Sequence, residues 1–199
     1  MDEEQPGGVF IESGESSEHG HAKTFPGGDR STMDGLLKLN LGCGDKHWPG
    51  FVNCDYVENW SGNPPDVGCD LTKLPFANES VSEAHAIHVV EHFPRMQIDA
   101  VLKEWARVLV RGGKLAIECP CLEKIFTPMA NKEMSKERYL FSLFGLYGNV
   151  WQGKGMQHYW CYTSLEMKSL LVGVGFSKVA VQEPIFHQKW RDMRLVATK

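Results

Sequence analysis

The feature that most constrains this chain is the segment Lys38-Leu-Asn-Leu-Gly-Cys-Gly-Asp45. Residues 36–41 form a short apolar run that stops at two glycines one residue apart. Such a run, bounded by a turn signal, reads as a buried strand entering a tight bend. Glycine tolerates positive φ and leaves no Cβ between the main chain and whatever approaches it. Gly42 and Gly44 thus provide a place where a ligand can lie against the backbone. A tight turn needs no ligand, so this pattern alone is weak. Two acids strengthen it. Asp55 closes the next strand, eleven residues beyond Gly44, and can accept both hydroxyls of a ribose. Asp70 precedes Leu71 at the end of the following segment, where it can meet an adenine edge.

Further strands are expected at 51–55, 67–70, 82–90, 114–119, 176–182 and 193–198. Pro94 can open a helix at its first turn. Ile98, Val101, Leu102, Trp105, Val108 and Leu109 then recur at helical spacing and give one buried face, which Gly112-Gly113 stops. Thr163-x-x-Glu166 is a capping box ahead of Leu165, Leu170 and Leu171, and Gly173 and Gly175 end that helix. Strands alternating with helices predict an α/β fold with a mostly parallel sheet. Ligands in such sheets sit beyond the carboxyl ends of the strands, at the switch point, and the glycine bend lies there.

Residues 1–35 hold eight acids, two bases and seven glycines, for a net charge of −6, and the remaining residues carry +2. The leader cannot bury enough apolar surface to offset its ordering entropy and is expected to be a disordered tail. Residues 36–199 form one expected domain, large enough to bury a core without staples. A net charge of +2 is no footprint for nucleic acid. No apolar run approaches the roughly 20 residues that span a bilayer, and the leader lacks the apolar stretch of a secretory signal. Cys43, Cys54, Cys69, Cys119, Cys121 and Cys161 form no C-x-x-C pair and read as reduced thiols of a cytoplasmic protein. Cys119-Pro-Cys121 could join a histidine on a metal, but small buried hydrophobes at strand ends are the plainer reading.

A dinucleotide fold wants G-x-G-x-x-G opening a helix, with its acid about 20 residues on. Here the third glycine is missing, and Asp45-Lys-His-Trp-Pro-Gly50 is too short for a full helix. A pyrophosphate would lose the helix N-terminus that normally receives it. S-adenosylmethionine has no phosphate and would not miss it. Four motifs now come together: Leu39-Asn-Leu-Gly-Cys-Gly44, Asp70-Leu-Thr-Lys-Leu-Pro-Phe76, His88-Val-Val-Glu-His-Phe93 and Trp105-Ala-Arg-Val-Leu-Val-Arg-Gly-Gly113. In this order they resemble the class I S-adenosylmethionine-dependent methyltransferases, in particular a small type-11-like group. The resemblance implies a Rossmann-like, seven-stranded sheet in the order 3-2-1-4-5-7-6 with an antiparallel last strand. It implies S-adenosyl-L-methionine as cofactor, with Leu41, Gly42, Cys43 and Gly44 at its methionine part. It further places Asp55 on the ribose, Tyr56 beside the adenine, Asp70 and Leu71 holding that ring, and His88 beside the cofactor at the end of strand four. The short link after strand one departs from the family and leaves that flank to a loop carrying Lys46 and Trp48. Arg111 stands where proline is frequent, which alters only a helix end.

His88-Val-Val-Glu-His92 also fits the H-x-x-E-H pattern of inverted zinc peptidases. That chemistry needs a helix, whereas here a strand-like run leads straight to Pro94. A strand would hold the two histidines about 13 Å apart at roughly 3.3 Å per residue, so no metal ligands are assigned. Residues 122–162 carry nine aromatics and are expected to form a cap-like insertion that shapes the acceptor site or simply buries its own apolar face. Methyl transfer from a sulfonium mainly needs alignment of the acceptor behind the methyl group. An oxygen acceptor gains from a base, and His88, His92 and His158 are the candidates. The expected activity is methyl transfer to a small or sugar-like acceptor. A cofactor-binding module without turnover is the alternative, and the sequence leaves the oligomeric state open.

Overall fold

The computed structural model describes residues 35–56, 63–149, 151 and 155–199. The acidic leader therefore lies outside the described residues, apart from Gly35. The strands are β1 (Leu37–Leu41), β2 (Val52–Asp55), β3 (Val67–Gly68), β4 (Val81–Ile87), β5 (Leu109–Pro120), β6 (Lys178–Gln182) and β7 (Asp192–Thr198). The helices are α1 (Ile98–Val108), α2 (Leu122–Ala130), α3 (Lys136–Tyr147) and α4 (Ser164–Gly173). One seven-stranded sheet runs β3-β2-β1-β4-β5-β7-β6. β1 to β5 pair in parallel, and β7 runs antiparallel to both β5 and β6. This is the topology that the motif resemblance implied.

One face of the central strands is apolar and joins the buried sides of α1 and α4 in a single core, whereas the other face carries Asn40, His85 and Glu118. Leu39, Leu41, Ala84, Ala86, Leu115 and Ile117 are fully buried. The helical spacing after Pro94 does form one buried face: Ile98, Val101, Leu102, Trp105 and Val108 have no exposed surface. Trp105 Nε1 donates to the Leu71 carbonyl at 2.9 Å, tying α1 to the segment after β3.

Several boundaries differ from expectation. The helix starts at Ile98, since Pro94 to Gln97 form a turn closed by Gln97 N–H to the Pro94 carbonyl at 2.8 Å. Gly112-Gly113 does not stop the helix but lies inside β5, because the chain turns extended at Leu109, which pairs with Val81. The register slips between Val81 and Glu83, and Gly112, at φ +80°, stands at this irregularity. Strand three has only two residues. Leu165 is exposed, while Leu170 and Leu171 are buried as read.

Strand four ends at Ile87 rather than Val90. His88 adopts φ +55°, a left-handed conformation rare for a side chain of its size. Its N–H donates to the Glu118 carbonyl at 2.7 Å. A single 3-10 turn, Val90–His92, follows. This bend sends His88 and His92 in different directions.

Candidate active site

The bend after β1 is held by its neighbour strand. Gly42 and Cys43 both donate to the Cys54 carbonyl, at 2.8 and 3.1 Å. Gly44 N–H donates to Asp55 Oδ2 at 2.7 Å, and Tyr56 N–H to Oδ1 at 2.7 Å. Gly42 (φ +66°) and Gly44 (φ +51°) occupy the left-handed region. A Cβ on Gly42 would come within 2.5 Å of Val89 Cγ2, so glycine is required there by both conformation and space.

A cavity of about 450 Å³ opens beside this bend, at the carboxyl ends of β1, β2 and β4. Of the nine residues expected at the cofactor, Gly42, Gly44, Asp55, Tyr56, Asp70, Leu71 and His88 line it. Leu41 and Cys43 do not: Leu41 is fully buried in the core, and Cys43 is buried with its thiol toward the Gly44 carbonyl. Asp70 is preset by an Asx turn, Oδ1 accepting from Thr72 N–H at 2.8 Å. Thr72, Val89, Phe93, Pro94, Gln97 and Met156 complete most of the wall and were not singled out from sequence. Thr72, Val89 and Phe93 lie inside motifs that the sequence displays, and Pro94 and Gln97 follow one. Met156 carried no signal, because its place depends on how residues 122–162 return to the sheet. Trp48 is not at the cavity. It stacks on Phe186 at 4.8 Å between ring centroids and meets His85 and Phe51 edge-on.

The three histidines occupy two environments. His88 lies between two buried carboxylates, with Nδ1 2.8 Å from Glu91 Oε1 and Nε2 3.3 Å from Asp192 Oδ2. Burial disfavours its charge, but the Glu91 charge and the Asp192 hydrogen bond outweigh this and raise the imidazole to about 9. Burial likewise pushes Glu91 upward, and the His88 charge overrides it and holds the carboxyl at about 2. Asp192 follows the same balance, with Arg191 adding to His88, and also sits at about 2. At neutral pH His88 is therefore a clamped cation.

His92 and His158 form a second group. Their rings meet edge-on with centroids 4.7 Å apart. His92 Nδ1 lies 3.0 Å from the Gln157 carbonyl and His158 Nδ1 2.9 Å from that of Gly145. A carbonyl only accepts, so Nδ1 carries the proton in each ring, and in the neutral imidazole the lone pair is then on Nε2. Burial lowers the His158 imidazole below its usual value. His92 lines the cavity, and His158 packs behind it. Tyr159 and Trp160 N–H both reach the Glu91 carbonyl, at 2.8 and 3.4 Å, which pins this segment to the 3-10 turn.

The H-x-x-E-H residues thus do not form the peptidase pair considered above, since His88 and His92 serve different clusters. Cys121 Sγ donates to Glu123 at 3.0 Å. No helix among the described residues is long and apolar enough to cross a membrane.

Residues 52–117 match the family described as a methyltransferase domain. No curated protein sequence is significantly similar to the chain. Solved structures share its architecture at low identity. A candidate O-methyltransferase from Nostoc punctiforme aligns over 84% of this chain and 52% of its own, with a TM-score of 0.57 and 16% identity. An S-adenosylmethionine-dependent methyltransferase from Mesorhizobium loti aligns over 83% and 91%, at 0.54 and 18%. A methyltransferase from Archaeoglobus fulgidus that depends on the same cofactor aligns over 83% and 87%, at 0.56 and 13%. The fold is that of a class I S-adenosylmethionine-dependent methyltransferase. The chain spans about half the length of the Nostoc protein.

S-adenosylmethionine is the cofactor that this methyltransferase fold implies, and the lining residues suit it. Two carboxylates face the cavity and no lysine or arginine lines it among the described residues. Such a wall receives hydroxyl and amine donors. Asp55 uses one lone pair of each oxygen on a backbone N–H, which leaves acceptor capacity for a diol.

Proposed function

We propose that the protein transfers the methyl group of S-adenosylmethionine to a hydroxyl of a small or sugar-like acceptor. The observation that carries this reading is the Asp55 carboxylate, fixed by the Gly44 N–H at 2.7 Å and lining the cavity beside the glycine bend. S-adenosylmethionine supplies a methyl group already activated on a sulfonium. Asp55 would hold the ribose, Asp70 and Leu71 the adenine, with Tyr56 alongside, and the bend from Gly42 to Gly44 the methionine part.

A cavity of about 450 Å³ supports a small acceptor, since sites of roughly 300–1,000 Å³ take small molecules and this one must also hold the cofactor. The sugar-like choice rests on the family resemblance. Val89, Phe93, Pro94 and Met156 give part of the wall an apolar character, which keeps water from the reacting end. His88, held as a cation by Glu91 and Asp192, fixes the local charge and is not the group that takes a proton. His92 lines the cavity with Nδ1 held by the Gln157 carbonyl, and His158 packs behind it.

The decisive test is calorimetric titration of S-adenosylmethionine into the full chain and its Asp55→Ala variant. The variant is expected to bind at least tenfold more weakly, with folding checked by circular dichroism because Gly44 also loses a partner. Wild-type affinity in a folded variant would remove the ribose assignment and the reading with it.

A further inference from the structure

Glu91, His92 and His158 each place one ligand-type atom within 4.8 Å of the others. Glu91 is 1% exposed; among the described residues its Oε1 is in an ion pair with His88 Nδ1 at 2.8 Å, and its Oε2 accepts no hydrogen bond. A buried carboxylate normally collects donors, so an oxygen without one points to a missing partner. The two imidazoles are presented as metal ligands are. Each gives Nδ1–H to a backbone carbonyl, Gln157 or Gly145, which fixes the ring and directs the lone pair to Nε2. The anchors of Tyr159 and Trp160 on the Glu91 carbonyl hold the two sequence-distant halves together.

We propose that Glu91, His92 and His158 bind a divalent transition-metal ion at the edge of the cofactor cavity, with its remaining coordination positions open to an oxygen of the acceptor. Two imidazoles and one carboxylate suit the series from manganese to zinc and leave coordination positions for substrate. Ligand atoms about 2.0–2.2 Å from one ion stand at most ~4.4 Å apart, so side-chain adjustments on the order of an ångström close the site. The other histidine–carboxylate cluster, His88, His187 and Asp192, lacks this character. Asp192 already accepts from Arg191 Nε and Nη2 and from Gln188 N–H, besides His88. The ion's role toward the acceptor rests on the methyltransferase reading, whereas the site itself does not.

The test titrates Mn²⁺ and Co²⁺ separately into the chelator-treated full chain, by calorimetry and, for Co²⁺, by visible absorption. One ion per chain is expected, with d–d bands and micromolar affinity. His92→Asn and His158→Asn keep an amide donor near Nδ1 and delete Nε2, so each should weaken binding at least tenfold. Glu91→Gln should do the same, and if it fails to fold the two histidine variants decide. His187→Asn should bind as the wild type does. Absence of binding tighter than millimolar, unchanged affinity in both histidine variants, loss in His187→Asn, or a Co²⁺–thiolate charge-transfer band would each overturn the site. Titrating S-adenosylmethionine into the same samples separates the two ideas. Cofactor binding without metal binding sinks only the ion, and the reverse sinks only the cofactor reading.

Discussion

Glu118 and Glu91 are equally hidden, at 0% and 1% exposure, yet their surroundings are opposites. Glu118, on β5, accepts from the backbone N–H groups of Ile185, Phe186 and His187 at 2.9–3.0 Å, and Arg194 Nη1 stands 3.3 Å away. Every lone-pair direction has a use, and the result is mechanical: the link between β6 and β7 is fastened over the end of the sheet. Among the described residues the Glu91 carboxylate has one ion-pair partner, His88 Nδ1 at 2.8 Å from Oε1, and Oε2 accepts no hydrogen bond. The count of donors, rather than burial, therefore separates a carboxylate that builds the fold from one that awaits a ligand.

Removing each acid puts this contrast to the sharpest use. Glu118→Ala leaves three N–H groups and a buried guanidinium unpartnered, and should cost about 3–5 kcal/mol in urea unfolding. Glu91→Gln in metal-free protein strips His88 of one partner while Asp192 keeps the other, and should cost about 1–2 kcal/mol. Equal losses would mean that Glu91 is as structural as Glu118.

The next effect concerns Asp192, the donor-rich acid on the far side of His88. Its carboxyl falls from 3.8 to about 2 in the folded protein. A depressed folded value means stability that is fully present above 3.8 and disappears as the pH drops through 2. The amount is on the order of 2 kcal/mol. His88 is protonated in both folded and unfolded chains below pH 5 and adds no slope there. Unfolding measured from pH 5 down to pH 2 should show this loss, and Asp192→Asn should remove that part of the slope. An unchanged slope would detach Asp192 from the His88 clamp.

These clusters mark where sequence reasoning stops. The glycine bend and the acids Asp55 and Asp70 at strand ends were legible as local patterns, whereas the strand order came from the motif resemblance and not from any local pattern. The His88 clamp was not, since Asp192 is 104 residues away and looks like any acid at the start of a strand. The continuation of strand four to Val90 failed for a local reason with a distant cause. His88 takes a left-handed φ where its ring meets carboxylates from two elements and its N–H meets the Glu118 carbonyl, which no periodicity reveals. His158 was named from its position before a capping box, but its meeting with His92 depends on Tyr159 finding the Glu91 carbonyl.

The smallest effect tests donor matching at that capping box. Thr163 Oγ1 accepts from Glu166 N–H at 3.0 Å, as the sequence predicts. The reciprocal half is absent, because the Glu166 carboxylate goes to Arg95 Nε at 2.8 Å and Trp160 Nε1 at 3.3 Å. Thr163→Ala strips an N-terminal amide of its acceptor and should cost about 1 kcal/mol. Glu166→Ala loses only a partly exposed ion pair and an exposed indole contact, so it should cost less, about 0–1 kcal/mol. Both are read from denaturant midpoints at unchanged slope. If Glu166 costs more than Thr163, its bonds to Arg95 and Trp160 matter more than the cap. The α4 entrance would then be fastened to the loop after the 3-10 turn, and strain there would pass directly to His92.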